Sequence, residues 1–434
     1  MSRHLRHALG IAGALLISSY ATQPAAQEAH ESPQRPLRVS VDDATRRGAQ
    51  ASPELAPARA ASRASQRART ASRQALTSNP RVELSAGPRW GADHGLDVSA
   101  GVWQDIPLAG VGTSRERAAD ARAISARFML RGAELQAALT AGLAWVDART
   151  AYELVEVRKA TVTSTRKLLK ITESRFAEGA ATLGDRALSR SIHGAAKAAV
   201  LDAEGRRFSA DLELAYAIGV NEERPLVSVG RLDADGPDIP EAAAFAALAQ
   251  SPELRRMAAE SRAARAAASQ SHAEGAPSLS LGPSVTREAT GDWVLLGRVS
   301  FPLPLVNPRA LEAAEHEKSA ALARAEYARL KRSLRREVHL LLHERTHARR
   351  TRDALAKDAV EPAAVAQAEA LLKYSLGKSN IQEVSIAQRN LLDAKERWLL
   401  AAADARATEL KLLAITGRLP GAEFQKPKSR KAAR

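Results

Sequence analysis

The chain has no cysteine among its 434 residues. Disulfides, thiolate zinc sites and cysteine nucleophiles are therefore excluded, as is a lipid-modified N-terminal cysteine. Aromatic residues are few (Phe 6, Tyr 5, Trp 5), which favours helices packed through small residues over a bulky globular core. No apolar run reaches the roughly 20 residues that a helical membrane span needs. If the chain crosses a membrane, it must do so with strands. Neither a Gly-rich phosphate loop nor a nucleophile elbow is present, so neither enzymatic activity nor a cofactor is expected.

Alanine and arginine are abundant instead. The formal net charge is +15 and the isoelectric point about 10.3, a balance that raises nucleic acid as a partner. The Lys and Arg, however, are interleaved with Asp and Glu as on a solvated helix face, so no nucleic-acid partner is expected. The N-terminus reads as a signal peptide over 1–26. Arg3, His4, Arg6 and His7 form a basic region, Ala8 to Ile17 an apolar one, and small residues offer cleavage after Ala21 or near Ala26. The mature chain is then exported.

An internal duplication organises the rest of the chain. Ser52-Pro53-Glu54-Leu55 recurs as Ser251-Pro252-Glu253-Leu254, at an offset of 199. Pro80 matches Pro277, and Ile106-Pro107-Leu108 matches Leu303-Pro304-Leu305, both at 197. Arg175-Phe176 with Gly179 matches Lys373-Tyr374 with Gly377, and Gly219 matches Gly417, at 198. A period near 200 is too long for a solenoid unit. It predicts two repeats, 27–238 and 239–420, followed by a basic tail, 421–434, with the composition of a disordered segment.

Each repeat reads as helix, two strands, long helix, turn, helix. In the first, residues 39 to 77 read as helix. Strands follow within 80–107, where Leu96, Val98, Ala100 and Val102 alternate with Asp97, Ser99, Gly101 and Trp103. In the second, 239–273 read as helix and 278–305 as strands. Strands of about ten residues suit a tilted membrane span. Helices fill 110–218 and 308–417. Val111 to Glu178 contains no proline, giving a helix of roughly 100 Å at 1.5 Å per residue. Its counterpart, opened by Asn307-Pro308, has one Pro362 that can kink it. Both end at glycines, Gly179 and Gly377, suited to a left-handed stop. In the last helix Leu391, Trp398, Ala405 and Leu412 recur at sevens, a coiled-coil spacing. Four strands cannot close a barrel, and an open edge in lipid leaves backbone groups unsatisfied. Three chains would give twelve strands. The expected fold is therefore mainly α with a small β part: a helical tube with strands attached at one end, which three copies would close into a 12-stranded barrel.

Over its mature length the chain resembles the TolC family of outer-membrane efflux factors. The resemblance rests on Asn79-Pro80-Arg81-Val82, on Gln104-Asp105-Ile106-Pro107-Leu108-Ala109-Gly110, and on two turn motifs. These are Arg175-Phe176-Ala177-Glu178-Gly179 through Leu183-Gly184-Asp185, and Tyr374-Ser375-Leu376-Gly377 through Ile381-Gln382-Glu383-Val384. It implies a homotrimer whose 12-stranded β-barrel spans outer-membrane lipid and is continuous with a long periplasmic α-helical coiled-coil barrel, docking on a periplasmic adaptor and an inner-membrane transporter. The tip turns at Arg175, Phe176, Gly179, Leu183, Tyr374, Gly377 and Ile381 would meet the adaptor. Glu383 would stand at the periplasmic gate, where the family often has an acid that narrows the closed aperture. A second family acid is absent here, its place taken by Ile386, and Ser379 stands where some members have an arginine.

His339, His343 and His347, spaced i, i+4 and i+8, share one helical face. Adjacent pairs of that kind can chelate zinc, copper or nickel. Beside Arg345, Arg349 and Arg350 the same three read equally as a polar stripe, and no metal site is assigned. Gln104 to Gly110 resembles the channels of heavy-metal efflux systems more than those of multidrug ones, a tilt toward cation export. The alternative to a channel is a periplasmic helical adaptor or scaffold of a transport system. Against it stand the duplicated strand pairs and the absence of a lipoyl-like β domain.

Overall fold

The computed structural model describes residues 36–423, apart from 75, 77, 92, 93, 109, 222, 277 and 302–308. The signal peptide, Pro277, the Leu303-Pro304-Leu305 landmark, Asn307-Pro308 and residues 424–434 of the tail lie outside the described residues.

Both repeats open on a helix broken at the same motif. α1 (Val41–Ala51) starts from a reciprocal cap in which Ser40 and Asp43 satisfy each other's backbone N–H groups. It stops at Ser52, a short 3₁₀ turn covers Pro53–Leu55, and α2 (Ala56–Ala71) follows. In the second repeat α5 (Glu241–Ala247) leads through a 3₁₀ turn to Ser251, where α6 (Pro252–Glu274) begins. Sequence periodicity runs straight through both breaks, and the structure corrects this. Ser52 and Ser251 are held at φ −52° and −51°, with ψ of 133° and 126°, because a residue before proline is pushed out of the helical region.

The long helices match expectation closely. α3 is a 67-residue helix, Val111–Ala177, and α4 (Leu183–Ala217) returns beside it. In the second repeat α7 (Ala310–Ala354) passes through a π-helical segment, Leu355–Val360, into α8 (Glu361–Ser375), and α9 (Ile381–Ile415) returns. The expected effect of Pro362 thus takes the form of a widened turn rather than a break. A proline has no N–H to give the preceding turn and its ring crowds that turn's carbonyl, both of which an i→i+5 segment accommodates.

Four of these helices, α3, α4, α8 and α9, end in the same way, with the residue after the glycine reaching back over the last turn. Ala180 N donates to Arg175 O at 2.7 Å and Lys378 N to Lys373 O at 2.8 Å; Val220 and Arg418 do the same to Ala215 and Leu413. The glycines between them, Gly179, Gly219, Gly377 and Gly417, have φ of 65° to 74°. This is the Schellman closure of a helix C-terminus.

The main core lies midway along the helices. Trp145, 1% exposed, sits at its centre among Ala138, Ala141, Leu214, Leu254, Val338, Leu410 and Leu412. Alanines on α3 let α1 and α6 approach closely, as the composition suggested. Trp145 Nε1 donates at 2.9 Å to the carbonyl of Val39. Val39 belongs to β1 (Leu37–Val39), which pairs in parallel with β4 (Leu226–Ser228). This two-stranded sheet is absent from the sequence expectation. It ties the start of the first repeat to the segment that joins the repeats.

That joining segment is clamped from α7. Arg345 donates to Asp238 at 2.6 Å, Arg349 to the carbonyl of Gly236 at 3.2 Å, and Arg352 to the carbonyl of Asp233 at 2.8 Å. Arg349 also meets Glu409 at 2.8 Å, and Glu409 is only 2% exposed. Arg345 and Arg349, read from the sequence only as positive charge beside the histidine stripe, turn toward the linker.

The remaining strands form one antiparallel sheet in the order β2-β3-β5-β6, comprising β2 (Arg81–Arg89), β3 (Gly95–Pro107), β5 (Ser278–Arg287) and β6 (Trp293–Ser300). The left-handed residues Gly110 (φ 72°) and Arg309 (φ 53°) stand at the starts of α3 and α7, where the chain passes from sheet to helix.

Candidate functional site

The sheet's register sorts its side chains onto two unlike faces. Val82 pairs with Val102, Leu84 with Ala100, Ala100 with Val285, and Val285 with Leu295, so these residues share one side. Val82, Leu84 and Leu295 are 69% to 74% exposed, and Trp293 and Val299 are also open. The opposite side carries Ser85 hydrogen-bonded to Ser99 at 2.6 Å and Arg81 to Asp105 at 2.9 Å. Arg89 there reaches both Asp97 and Glu288 at 3.1 Å. Period-two alternation places the two sets on opposite faces. An apolar face this extensive is stable against lipid rather than water, and a polar face suits a wet lumen. Among the described residues no helix is long and apolar enough to cross a membrane. Among the described residues, β2 and β6 each have one unpaired edge.

At the far end of the long helices the two turns are brought together. Leu168 of α3 packs with Tyr374, Ile381 and Val384 of the second hairpin in a small core of its own, supported by Ile171 and Leu371. Tyr374 Oη lies 3.1 Å from Thr172 Oγ1. The Arg175 guanidinium stacks over the Tyr374 ring at 4.5 Å, donates to the Tyr374 carbonyl, and donates to the carbonyl of Ala180 at 3.2 Å. One arginine of the first hairpin therefore holds both turns. Arg186 lies 5.0 Å from the Phe176 ring.

The repeats differ at their equivalent positions. Tyr374 and Ile381 are buried, whereas Phe176 is half-buried and Leu183 is 68% exposed. Gly179 and Gly377 are open to solvent with φ of 74° and 73°. Tyr374 and Ile381 shape the tip, and Leu183 with the two glycine turns forms its displayed surface.

Glu383 sits in the first turn of α9, where its backbone N–H is accepted by the Asn380 side chain at 2.9 Å. Its counterpart Asp185 closes a reciprocal cap with Thr182, but the Glu383 carboxylate is free of that duty and exposed. With Ile386 it lines an open groove between α8 and α9 floored by Pro362, Ala363 and Ala366. Lys373 bonds to Glu369 at 2.7 Å, which raises the lysine's pKa, and the charge of Glu383 adds to the effect. Ser379 hydrogen-bonds back to the Ala370 carbonyl at 3.5 Å.

The histidine stripe does not converge. His339 leans on the Phe245 ring at 4.6 Å and lies 3.4 Å from Glu241. The His343 and His347 rings stack with centroids 6.5 Å apart. Among the described residues no group of three His, Cys, Asp or Glu stands close enough to hold a metal ion.

Residues 245–418 match the family model of the outer membrane efflux proteins. Solved outer-membrane proteins share the fold over nearly the whole length. The Campylobacter jejuni CmeC outer membrane channel is 15% identical with a TM-score of 0.73, over 89% of this chain and 86% of its own. The Vibrio cholerae outer membrane protein VceC is 16% identical with a TM-score of 0.71, over 89% and 97%. The open-state Neisseria gonorrhoeae MtrE outer membrane channel is 17% identical with a TM-score of 0.69, over 89% and 91%. Among curated proteins none matches the chain in sequence. The match to the outer membrane efflux protein model and the shared fold support an outer-membrane transport protein with its helical part in the periplasm.

The sequence reading missed Trp103 and Arg298 on the polar side of the sheet. The signal was present in the alternation itself, where Trp103 falls in step with Asp97, Ser99 and Gly101.

Proposed function

We propose that the chain is the outer-membrane channel subunit of a tripartite efflux pump, passively conducting metal cations or small toxic compounds to the exterior. The observation that carries this reading is the two-faced sheet. Its apolar side needs lipid, its polar side needs water, and its unpaired edges need neighbours. Three copies supply twelve strands, within the range of known membrane barrels. We assign the repeats to 27–238 and 239–420, so that each copy contributes two hairpin tips to the periplasmic end. There Leu183 and the turns at Gly179 and Gly377 meet a periplasmic adaptor, which links the channel to an inner-membrane transporter. Arg175, Phe176, Tyr374 and Ile381 hold those turns in shape. Glu383 supplies one carboxylate per copy to the periplasmic gate, and three such groups around an axis attract cations.

The test is the state of the mature protein. It should fractionate with the outer membrane, require detergent, and run as a trimer by light scattering. A water-soluble monomer without membrane association would overturn the channel and favour a periplasmic scaffold.

A further inference from the structure

Trp103 lies on the polar face of the sheet yet is only 8% exposed. Two glycines floor it. A Cβ on Gly101 would stand 3.2 Å from the indole Cζ2 and Nε1, and one on Gly282 would stand 2.7 Å from Cε3 and overlap the Val102 carbonyl. Gly282 is opposite Trp103 because Gly101 pairs with Ser284 and Gln104 with Leu281 on either side. The indole therefore lies close over the wall, where any larger residue at either position would lift it. Nε1 has no hydrogen-bond partner among the described residues, so packing rather than a polar tie fixes the ring.

The next strand supplies the other layer. Arg298 pairs with Gly282 in the sheet, and its guanidinium stands 5.1 Å from the Trp103 ring centroid. The other arginines of this face have carboxylate partners, Arg81 with Asp105 and Arg89 with Asp97 and Glu288. Arg298 is exposed and makes no ion pair among the described residues. A cation resting on an aromatic face keeps its full charge, whereas an ion pair largely cancels it.

We propose that Trp103 and Arg298 form a selectivity ring for small anions in the barrel lumen, one pair per copy. The inference rests on the channel reading above. Twelve strands about 4.8 Å apart close on a radius of roughly 12 Å. A guanidinium raised off the wall by an indole stands within one Debye length of the axis, about 8 Å at physiological salt. Three such charges act together on an ion at the axis, and their combined potential favours anions over cations by at least about threefold. Glu83 is the counter-candidate. It lies on the same face of the sheet's other edge strand.

The test uses the full-length trimer in planar bilayers under a potassium chloride gradient. Arg298→Gln should lower the anion-to-cation permeability ratio at least about threefold at 0.1 M salt and much less at 1 M, where screening shortens the field to about 3 Å. Arg298→Lys should keep most of the ratio. In the unsubstituted channel pyrophosphate should reduce the current, and Arg298→Gln should relieve the block. A ratio and a block both unchanged by Arg298→Gln, in channels that conduct normally, would overturn the ring while leaving the channel reading intact. A trimer that conducts no ions would overturn both.

Discussion

Replacing Gly179 and Gly377 with alanine tests whether the tips are conformationally locked. Both residues sit at positive φ, 74° and 73°. A Cβ on Gly179 meets nothing within 4 Å, and one on Gly377 only reaches Arg175 Nη2 at 4.0 Å. The cost is therefore backbone strain without a clash, about 1–2 kcal/mol at each turn. The tip core of Leu168, Tyr374, Ile381 and Val384 is separate from the main core around Trp145, so the loss falls on local opening and not on the global transition. Each alanine should speed amide exchange in 168–176 or 374–384 by roughly 5- to 30-fold, with exchange around Trp145 and insertion into the outer membrane unchanged. Asparagine, which tolerates the left-handed region, should have a smaller effect. Binding of a periplasmic adaptor should weaken in step with the exchange rates. Alanine and asparagine variants that exchange like the parent protein would refute the reasoning. Exchange that rises equally at the tips and around Trp145 would show that the tips are not a separate unit.

Three further outcomes are expected. Arg175→Ala removes a stacked guanidinium and its bonds to two carbonyls, and should loosen both turns by about 1–2 kcal/mol in local exchange. Arg175→Lys should recover only part of that, because an ammonium lacks the planar fork. Glu383→Gln should lower cation preference and weaken block by multivalent cations in bilayer conductance without impairing trimer formation. Unchanged block would place Glu383 off the conduction path, with Lys373 as its neighbour. Asp211 is driven above its ordinary carboxylate pKa by burial, which outweighs the opposing pull of Arg207 at 3.4 Å. Its folded form thus holds a proton more tightly than its unfolded form, so its contribution to stability is full below about pH 3.8 and is lost as pH rises through the folded pKa. Asp211→Asn should therefore raise the midpoint of thermal unfolding at neutral pH and leave it unaltered below about pH 3.8.

The parts of the fold that the sequence announced are those governed by local chemistry. Proline-free stretches bounded by glycine set the limits of α3, α4 and α9 within about two residues, the usual uncertainty of helix ends. Alternation at Leu96, Val98, Ala100 and Val102 marked the apolar side of β3. The heptad positions Ala405 and Leu412 are buried, while Leu391 and Trp398 are half-buried. Illegible were features made by contacts distant in the chain. β1 and β4 are three residues each, too short to show a period, and pair across most of a repeat. Arg345 and Arg349 resembled their solvated neighbours, since nothing local shows that a linker 107 to 113 residues earlier offers them carbonyls and a carboxylate. The tip residues were found as a motif, but not that Arg175 of one hairpin would stack on Tyr374 of the other.

The pairing of β3 with β5 bears on the order of events in folding. Ala100 meets Val285 and Asp105 meets Ser280, so the ladder at the centre of the sheet joins segments that the whole first helical hairpin and the linker separate. Loop closure over such separations is slow compared with helix growth. During that interval the helical body can fold in water while the strands remain unpaired. Even a finished sheet still exposes the side chains of Val82, Leu84 and Leu295, which are aggregation-prone until copies and lipid cover them. In the proposed trimer the single copy is thus an intermediate with a short safe lifetime, and how fast three copies meet at the membrane, more than the stability of any one of them, decides how much channel is made.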